Sequence, residues 1–207
     1  MSATSSTGTT AGPGRFFSLV DTALGVIALE WSHTGLTKLR LPEADAEAMA
    51  ERLARDASRV ADKARPQFVA AAVSDLENYA DGSPVDFGHL PLDLSGCSPF
   101  EQAVYRHALG IAYGKTTTYG DIARALGDIG HSRAVGQALG RNPLAIIVPC
   151  HRVLAAGGKS GGFSAFGGRV TKARLLQLEG ASLPGDEPTL PGLDLPIVMR
   201  EAPRSSR

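Results

Sequence analysis

The spacing of apolar residues changes near the middle of this 207-residue chain, and this change limits the fold more than any other feature. Residues 15–91 begin with three short runs that are rich in β-branched and aromatic residues: Phe16–Val20, Leu24–Trp31 and Leu36–Leu41. Short runs of this kind, separated by turn residues, predict a β-meander. Apolar residues then recur at helical spacing over Ala46–Val60, and Pro66 can open a second helix that runs to about Tyr79. We therefore predict an α/β scaffold domain over residues 15–91.

Residues 92–180 contain several segments with helical spacing, separated by turns and by a glycine-rich loop from Gly157 to Gly168. Ser98 and Pro99 are typical of a helix start, an N-cap followed by proline at the first helical position, and this helix is predicted to stop at Gly114. A later helix fits Thr171–Leu178, with glycine two residues beyond as its stop. We predict a mainly helical C-terminal domain over residues 92–180.

Two further short helices lie inside this predicted domain, at Tyr119–Leu126 and at Ser132–Gly140, where Ser132 is the predicted cap. The glycine-containing turn between them matches the pattern of a helix-turn-helix. The second helix bears Arg133 and ends beside Arg141. Most helix pairs of this kind only pack against each other, so the pattern alone leaves DNA binding open.

The charge distribution adds to this pattern. The chain has 21 Lys and Arg against 21 Asp and Glu, so its net charge gives no reason to expect a polyanionic partner. However, the segment Ile129–Leu178 has no Asp or Glu at all. Its basic residues are Arg133, Arg141, Arg152, Lys159, Arg169, Lys172 and Arg174. A solvated basic face would give the same pattern, but together with the helix pair it favours a footprint for nucleic acid.

The cysteines and the two ends of the chain are less informative. Cys97 and Cys150 cannot form a disulfide framework and lack the spacing of a zinc site, so a cytoplasmic protein without metal or other cofactor is expected. Residues 1–14 have neither the charged nor the apolar segment of a signal peptide, and no stretch reaches membrane-spanning length. We expect a disordered leader over residues 1–14 and a disordered or loosely docked tail over residues 181–207.

The segment Pro149–Arg152 carries the most reactive combination in the chain. It places Cys150 beside His151, directly after an apolar run at 146–148 that we expect to be buried. A histidine or arginine nearby lowers the pKa of a thiol, and only the thiolate attacks. Neighbouring side chains of an extended segment point to opposite sides, so a bridging water is needed between the two. A buried cysteine is often only a core residue, but the polar turn favours a nucleophile, with Glu179 the first acid available to orient the imidazole.

Several short motifs occur together in the second half of the chain: Arg133-Ala134-Val135-Gly136, Asn142-Pro143, Pro149-Cys150-His151-Arg152-Val153, Leu175-Leu176 and Glu179-Gly180. In order and approximate spacing they resemble the O6-alkylguanine-DNA alkyltransferase family, also called the methylated-DNA–protein-cysteine methyltransferases. The resemblance covers residues 91–180 closely and the N-terminal part only by its pattern of strands and helices. It implies an α/β N-terminal domain that is ribonuclease-H-like and a mainly helical C-terminal domain with a winged helix-turn-helix.

The resemblance also implies the chemistry. Cys150 is expected to accept an alkyl group from O6 of guanine irreversibly, once per protein molecule. His151 is implied to be its base through a water, and Glu179 the group that orients His151. Asn142 resembles the asparagine that braces the active-site turn. Tyr119 resembles the tyrosine that helps to rotate the nucleotide out and donates a proton or hydrogen bond to the leaving guanine.

The partner implied by the resemblance is double-stranded DNA that contains O6-alkylguanine, bound by a monomer, and whether O4-alkylthymine is also accepted stays open. A stacked base cannot meet an in-line thiolate, so it must leave the helix and be replaced. Arg133 resembles the finger that fills the gap. The other residues implied to contact DNA are Ser132, Ala134, Gly136 and Arg141. Those implied to contact the base are Val148, Phe163 and Ser164.

One segment departs from the family pattern, and two other function classes stay open. Family members commonly have Gly-Tyr-x-Gly-Gly after the cysteine, whereas 162–168 reads Gly-Phe-Ser-Ala-Phe-Gly-Gly, with about two extra residues. The first alternative is a sensor that binds alkylated bases without reaction, but the related alkyltransferase-like proteins lack the cysteine present here. The second is a cysteine hydrolase, whose histidine normally comes from a distant segment. Cys150 and its neighbour therefore favour alkyl transfer.

Overall fold

The computed structural model describes residues 14–127, 129–159 and 168–181. Its N-terminal part is a four-stranded sheet in the order β3-β2-β1-β4. The strands are β1 (Phe16–Thr22), β2 (Gly25–Trp31), β3 (Leu36–Arg40) and β4 (Ser58–Arg59). β1 and β2 form an antiparallel hairpin in which Phe16 lies opposite Trp31, and β3 continues the antiparallel order. The predicted β-meander is confirmed.

The fourth strand corrects the sequence-based prediction of a helix over Ala46–Val60. Helix α1 covers only Ala46–Leu53. The chain then joins the sheet, because the backbone N–H of Val60 donates to the carbonyl of Phe17 at 2.8 Å and the Ser18 hydroxyl donates to the carbonyl of Val60 at 2.6 Å. β4 pairs with β1 in parallel. The spacing of apolar residues after Leu53 therefore reflects burial against the sheet and not a longer helix.

Both faces of the sheet are covered by helices. Alternate side chains of a strand point to opposite faces. On one face the buried side chains of β1 and β2 pack with α1, in a cluster of Phe17, Ala28, Met49, Ala50, Leu53 and Ala57. On the other face Ile27 and Leu29 belong to the main core, together with Val69 and Leu76 of α2 (Gln67–Ala80). The predicted second helix is confirmed to within a residue or so of each end.

The rest of the described chain is mainly helical. The helices are α3 (Pro99–Leu109), α4 (Tyr119–Ala125), α5 (Ser132–Gly140) and α6 (Gly168–Leu178), and a short parallel pair joins β5 (Thr117–Thr118) to β6 (Val153–Leu154). Ser98 and Thr118 each cap a helix through a reciprocal capping box with the acid three residues later. Local caps of this kind explain why the predicted helix starts at Pro99 and Tyr119 are confirmed.

Besides that of α1, three helix boundaries differ from the prediction. α6 begins at Gly168 and not at Thr171. α3 ends at Leu109 and not at Gly114, because Gly110 is its C-cap. After the following turn, the backbone N–H of Gly114 donates a hydrogen bond to Glu179. Ser132 is the first residue of α5 and not its cap, since a single 3-10 turn directly precedes the helix.

One buried core runs through both parts of the described chain. The cluster that contains Ile27 and Leu76 also contains Tyr105, Val135 and Cys150. The division into two domains near residue 91 stays a prediction. Within the described ranges, no helix is both long and apolar enough to cross a membrane.

Candidate active site

The segment before Cys150 is a buried irregular turn. The predicted burial of residues 146–148 is confirmed, with each at most 1% exposed. Ile146 has a φ of +71°, a left-handed backbone conformation that is costly for a β-branched residue. The turn is closed by two backbone bonds at 2.8 Å, from Val148 to the carbonyl of Leu144 and from Cys150 to the carbonyl of Val148. Cys150 then begins a single 3-10 turn, Cys150–Arg152.

Asn142 links the two ends of this irregular segment. Its amide nitrogen donates to the carbonyl of Val148 at 2.8 Å, and its amide oxygen accepts from the backbone N–H of Leu144 at 3.0 Å. These two bonds satisfy backbone groups that neither a helix nor a strand pairs here. The position of Cys150 is therefore fixed by the chain immediately before it.

A carboxylate, Glu179, lies at the centre of a buried network just after α6. Its Oε1 atom is 2.7 Å from Nε2 of His151 and 3.0 Å from Nη2 of Arg152. Its Oε2 atom accepts from Nε of Arg152 at 2.8 Å and from the backbone N–H of Gly114 at 3.1 Å. Burial by itself raises the pKa of a carboxyl group, but the hydrogen bonds from His151 and Arg152 and the positive charge of Arg152 outweigh burial and lower the pKa of Glu179 to about 2. Glu179 is therefore ionised near neutral pH.

The network also determines which nitrogen of His151 carries the proton. Because Nε2 faces an ionised carboxylate at 2.7 Å, it must be the donor. Nδ1 is buried and has no hydrogen-bond partner among the described residues. A neutral His151 thus presents an unused lone pair on Nδ1. This is the arrangement a general base requires.

The protonation states correct one sequence-based expectation. We expected the neighbourhood of His151 and Arg152 to lower the pKa of the Cys150 thiol. Instead, burial raises it, and the opposing effects of the Asn142 amide and the Lys172 charge do not compensate. Burial likewise lowers the pKa of His151 despite the hydrogen bond to Glu179. The resting pair is therefore a neutral thiol and a neutral imidazole, because the low-dielectric interior disfavours both charges.

Sequence reasoning missed two buried side chains at this site. Lys172 on α6 is fully buried, donates to the carbonyl of Val153 at 2.6 Å and lies 5.8 Å from the centre of the Tyr119 ring. Burial lowers its pKa to about 8. One signal was available, since Lys172 shares the apolar helical spacing of Leu175 and Leu176. Tyr79 on α2 contacts Glu179 and carried no comparable signal in the sequence.

The residues predicted to contact DNA lie on α5, apart from Arg141, which directly follows its last residue. Arg133 is exposed, and Ser132, Ala134 and Gly136 are half-buried. α4 and α5 pack against each other, with Gly136 facing the Tyr119 ring. Arg141 is paired with Glu101 at 2.6 Å, so its charge is partly neutralised.

The basic segment Ile129–Leu178 is less of a surface feature than the sequence indicated. Arg152 and Lys172 are buried in the interior, at 4% and 0% exposed, where they bond to Glu179 and to a backbone carbonyl. They cannot meet phosphates. Two of the seven basic residues therefore do not contribute to a footprint for nucleic acid, because linear charge patterns do not distinguish buried cations from exposed ones.

Some predicted residues fall outside the described part of the chain. Phe163 and Ser164, expected to contact the base, lie in 160–167, which the structure does not describe. The same holds for most of the expected leader, residues 1–13, and of the expected tail, residues 182–207. Among the described residues, no group of three or more His, Cys, Asp or Glu side chains could hold a metal ion.

Comparison with known proteins is consistent with this geometry. The model of the 6-O-methylguanine DNA methyltransferase DNA-binding domain matches residues 99–181. The methylated-DNA–protein-cysteine methyltransferase of Mycobacterium tuberculosis is 38% identical over 170 residues, which is 82% of this chain and 95% of the relative. The chain belongs to this family of methyltransferases.

Solved structures of the family share the fold. Mycobacterium tuberculosis OGT in complex with DNA is 35% identical with a TM-score of 0.63, over 80% of this chain and 93% of that one. The O6-methylguanine-DNA methyltransferase of the archaeon Pyrococcus kodakaraensis is 27% identical with a TM-score of 0.56, over 81% and 99%. The chain thus has the family's combination of an N-terminal α/β sheet and mainly helical structure beyond it.

Gly114 is expected to be required for the position of Glu179. A Cβ atom at residue 114 would lie 2.8 Å from the Glu179 carbonyl oxygen, and Gly114 has a φ of +71°. We expect Gly114→Ala to lower the free energy of unfolding by about 3 kcal/mol, roughly 1 kcal/mol of it from backbone strain. Gly157 is the matched control, because its φ is +72° and nothing lies within 4 Å of its added Cβ. Equal losses in denaturant titrations of both variants would show that the contact with Glu179 adds nothing.

Proposed function

We propose that this protein repairs DNA by direct reversal, moving an alkyl group from O6 of guanine to the sulfur of Cys150. The observation that carries the proposal is that the residue next to Cys150 is a histidine that Glu179 holds by Nε2, so that Nδ1 is left as a base. The sulfur attacks the alkyl carbon, the bond from that carbon to O6 breaks, and its electrons stay on guanine. The product is a thioether, which nothing at the site can return to a thiol. Each molecule therefore repairs one lesion.

The proton of Cys150 must move before attack, because the resting thiol is neutral. The segment Cys150–Arg152 is a 3-10 turn and not extended as expected, but consecutive side chains of such a turn still point about 120° apart. We therefore propose that Nδ1 of His151 takes the proton through a water. The imidazolium that forms is stabilised by the ionised Glu179. The departing guanine needs a proton or a hydrogen bond. Tyr119 is the proposed donor, because burial raises the pKa of its hydroxyl and keeps it protonated.

Recognition of DNA is proposed for the α4–α5 pair. The solved relative from Mycobacterium tuberculosis is a complex with DNA, and the two packed helices fit a winged helix-turn-helix. We propose that Arg133 enters the duplex as the base leaves it, supported by its exposed position near the start of α5. The sheet with helices on both faces supports a ribonuclease-H-like N-terminal domain. A lesion sensor without chemistry is less well supported, because it would not need the base beside Cys150.

The test is a mass measurement on the whole protein. Incubation with a duplex that contains one O6-methylguanine should raise the intact mass by one methyl group, located on the peptide that contains Cys150. If the mass of the protein stays unchanged in the presence of a stoichiometric excess of this duplex, the proposal is contradicted. Binding without a mass change would support the sensor instead.

Arg133→Ala should have an effect that depends on the substrate. Free O6-benzylguanine needs no extrusion from a duplex, so the variant should react with it at nearly the wild-type rate. With O6-methylguanine in a duplex we expect a loss of roughly tenfold, since unstacking costs a few kcal/mol and about 1.4 kcal/mol corresponds to a factor of ten. Single-turnover rates on both substrates and on a single strand give the comparison. Equal losses of rate on all three substrates would mean that Arg133 stabilises the fold or affects the Cys150 thiol, and does not help to extrude the base.

A further inference from the structure

Among the residues that the structure describes, one side chain of the N-terminal part, Tyr79, hydrogen-bonds to Glu179. This residue lies near the end of α2 and is fully buried. Its hydroxyl donates to Oε1 of Glu179 at 2.8 Å and lies 3.4 Å from Nε2 of His151. It is separated from these residues by 100 and 72 positions in the chain. Tyr79 is thus the described side chain by which the α/β part touches the proposed catalytic groups.

The carboxylate of Glu179 is shared among several donors. Oε1 receives hydrogen bonds from His151, Arg152 and Tyr79, and Oε2 receives them from Arg152 and the Gly114 backbone. A carboxylate has about four lone-pair sites. The five hydrogen bonds therefore occupy all of these lone-pair sites. Each donor withdraws negative charge from the carboxylate and so weakens its attraction for the other donors.

We propose that the Tyr79 hydroxyl is a positioning group that fixes Oε1 of Glu179 against His151 and shares its charge, so that His151 stays a neutral base. This inference rests on the proposed function, in which His151 accepts the proton of Cys150. Tyr79 itself does not titrate in the working range, because burial and the neighbouring Glu179 raise its pKa. It acts only as a neutral donor.

The effect on His151 has a definite sign. The charged and titratable groups that face its ring or act on it are Glu179, Arg152, Lys172, Cys150 and Tyr79. Arg152 and Lys172 disfavour the imidazolium, and Glu179 favours it. Removal of the Tyr79 donor leaves more negative charge on Oε1, so the imidazolium becomes more stable and the pKa of His151 rises. As the pH is lowered, His151 then becomes protonated, and stops acting as a base, at a higher pH than in the wild type.

Tyr79→Phe should therefore react more slowly mainly in acid. We expect single-turnover rates with O6-methylguanine duplex to be within roughly twofold of wild type near pH 8.5 and to fall to about one fifth at the acidic end of the profile, since a pKa shift of roughly 0.7 units corresponds to a factor of five. Tyr113→Phe is the matched control. Among the described residues its hydroxyl donates to the carbonyls of Gly82 and Leu178, so it connects the same two regions without a hydrogen bond to the carboxylate. Its profile should keep the wild-type shape.

A second readout does not depend on activity. In ¹⁵N-labelled protein, the imidazole of His151 should titrate at a higher pH in Tyr79→Phe than in wild type, with the Nε2–H tautomer kept. A rate deficit that is the same at every pH, or an unshifted His151 titration, would overturn the inference. Failure of the wild type to transfer a methyl group would overturn the proposed function instead. The two failures are therefore distinguishable.

Discussion

Cys150→Ala is expected to abolish alkyl transfer completely while leaving affinity for undamaged duplex close to wild type. The sulfur is the only atom proposed to form a bond with the alkyl carbon, and no neighbouring group can replace it. Cys150 is buried and small, so it contributes chemistry and not phosphate contacts. Intact mass after incubation with O6-methylguanine duplex measures the transfer, and a fluorescence titration with undamaged duplex measures the affinity.

Cys97→Ala is the matched control for this prediction. Cys97 is half-buried, and burial together with the charges of Glu101 and Asp93 raises the pKa of its thiol. It lacks an adjacent histidine, so the variant should transfer the methyl group at the wild-type rate. A methyl group found on Cys97, or any remaining transfer by Cys150→Ala, would mean that the wrong cysteine has been chosen.

Glu179→Gln is expected to damage both the reaction and the fold. The amide keeps the shape but loses the charge, so Arg152 remains buried without its counter-ion and the His151 imidazolium loses its stabilisation. Removal of one partner of a buried ion pair costs about 3 kcal/mol of unfolding free energy. Loss of general-base catalysis costs about a hundredfold in rate. Denaturant titrations and single-turnover rates on the same preparations measure the two effects.

The stability effect should depend on pH. The folded-state pKa of Glu179 is about 2, below the ordinary 4.5. A lowered carboxyl pKa stabilises the fold fully above the ordinary value, and this contribution disappears as the pH falls from there towards 2. The difference in unfolding free energy between wild type and Glu179→Gln should therefore be largest near neutral pH and become smaller in acid. The pKa of Glu101 is also lowered to about 2, by Arg141 and Ser98, but the Arg141 side chain is 62% exposed and solvent screens the pair. Glu101→Gln should therefore cost less than about 1 kcal/mol. Equal losses for both variants would contradict the buried network.

Local signals in the sequence were sufficient for most helices and strands. The boundaries of α2 and α4 follow from a proline and a capping box that act within a few residues, so they could be predicted closely. The boundaries of α1 and α3 could not. Val60 was predicted to be helical but instead donates a backbone hydrogen bond to Phe17. Gly114 was predicted to end a helix but instead donates a backbone hydrogen bond to Glu179. Both partners lie more than forty residues away, where periodicity carries no information.

The sequence by itself determined the family and the combination of an α/β N-terminal part with a mainly helical remainder, and it located the candidate segment around Cys150, because these depend on short motifs and on periodicity. Only the tertiary structure decided the protonation states, since burial and not the adjacent His151 and Arg152 dominates the Cys150 thiol. Only the tertiary structure showed that Lys172 is internal and that Tyr79 reaches Glu179 across 100 positions of the chain. The physical reason is the same for each. Solvent exposure and long-range hydrogen bonds depend on which segments pack together, and neither can be read from residue order.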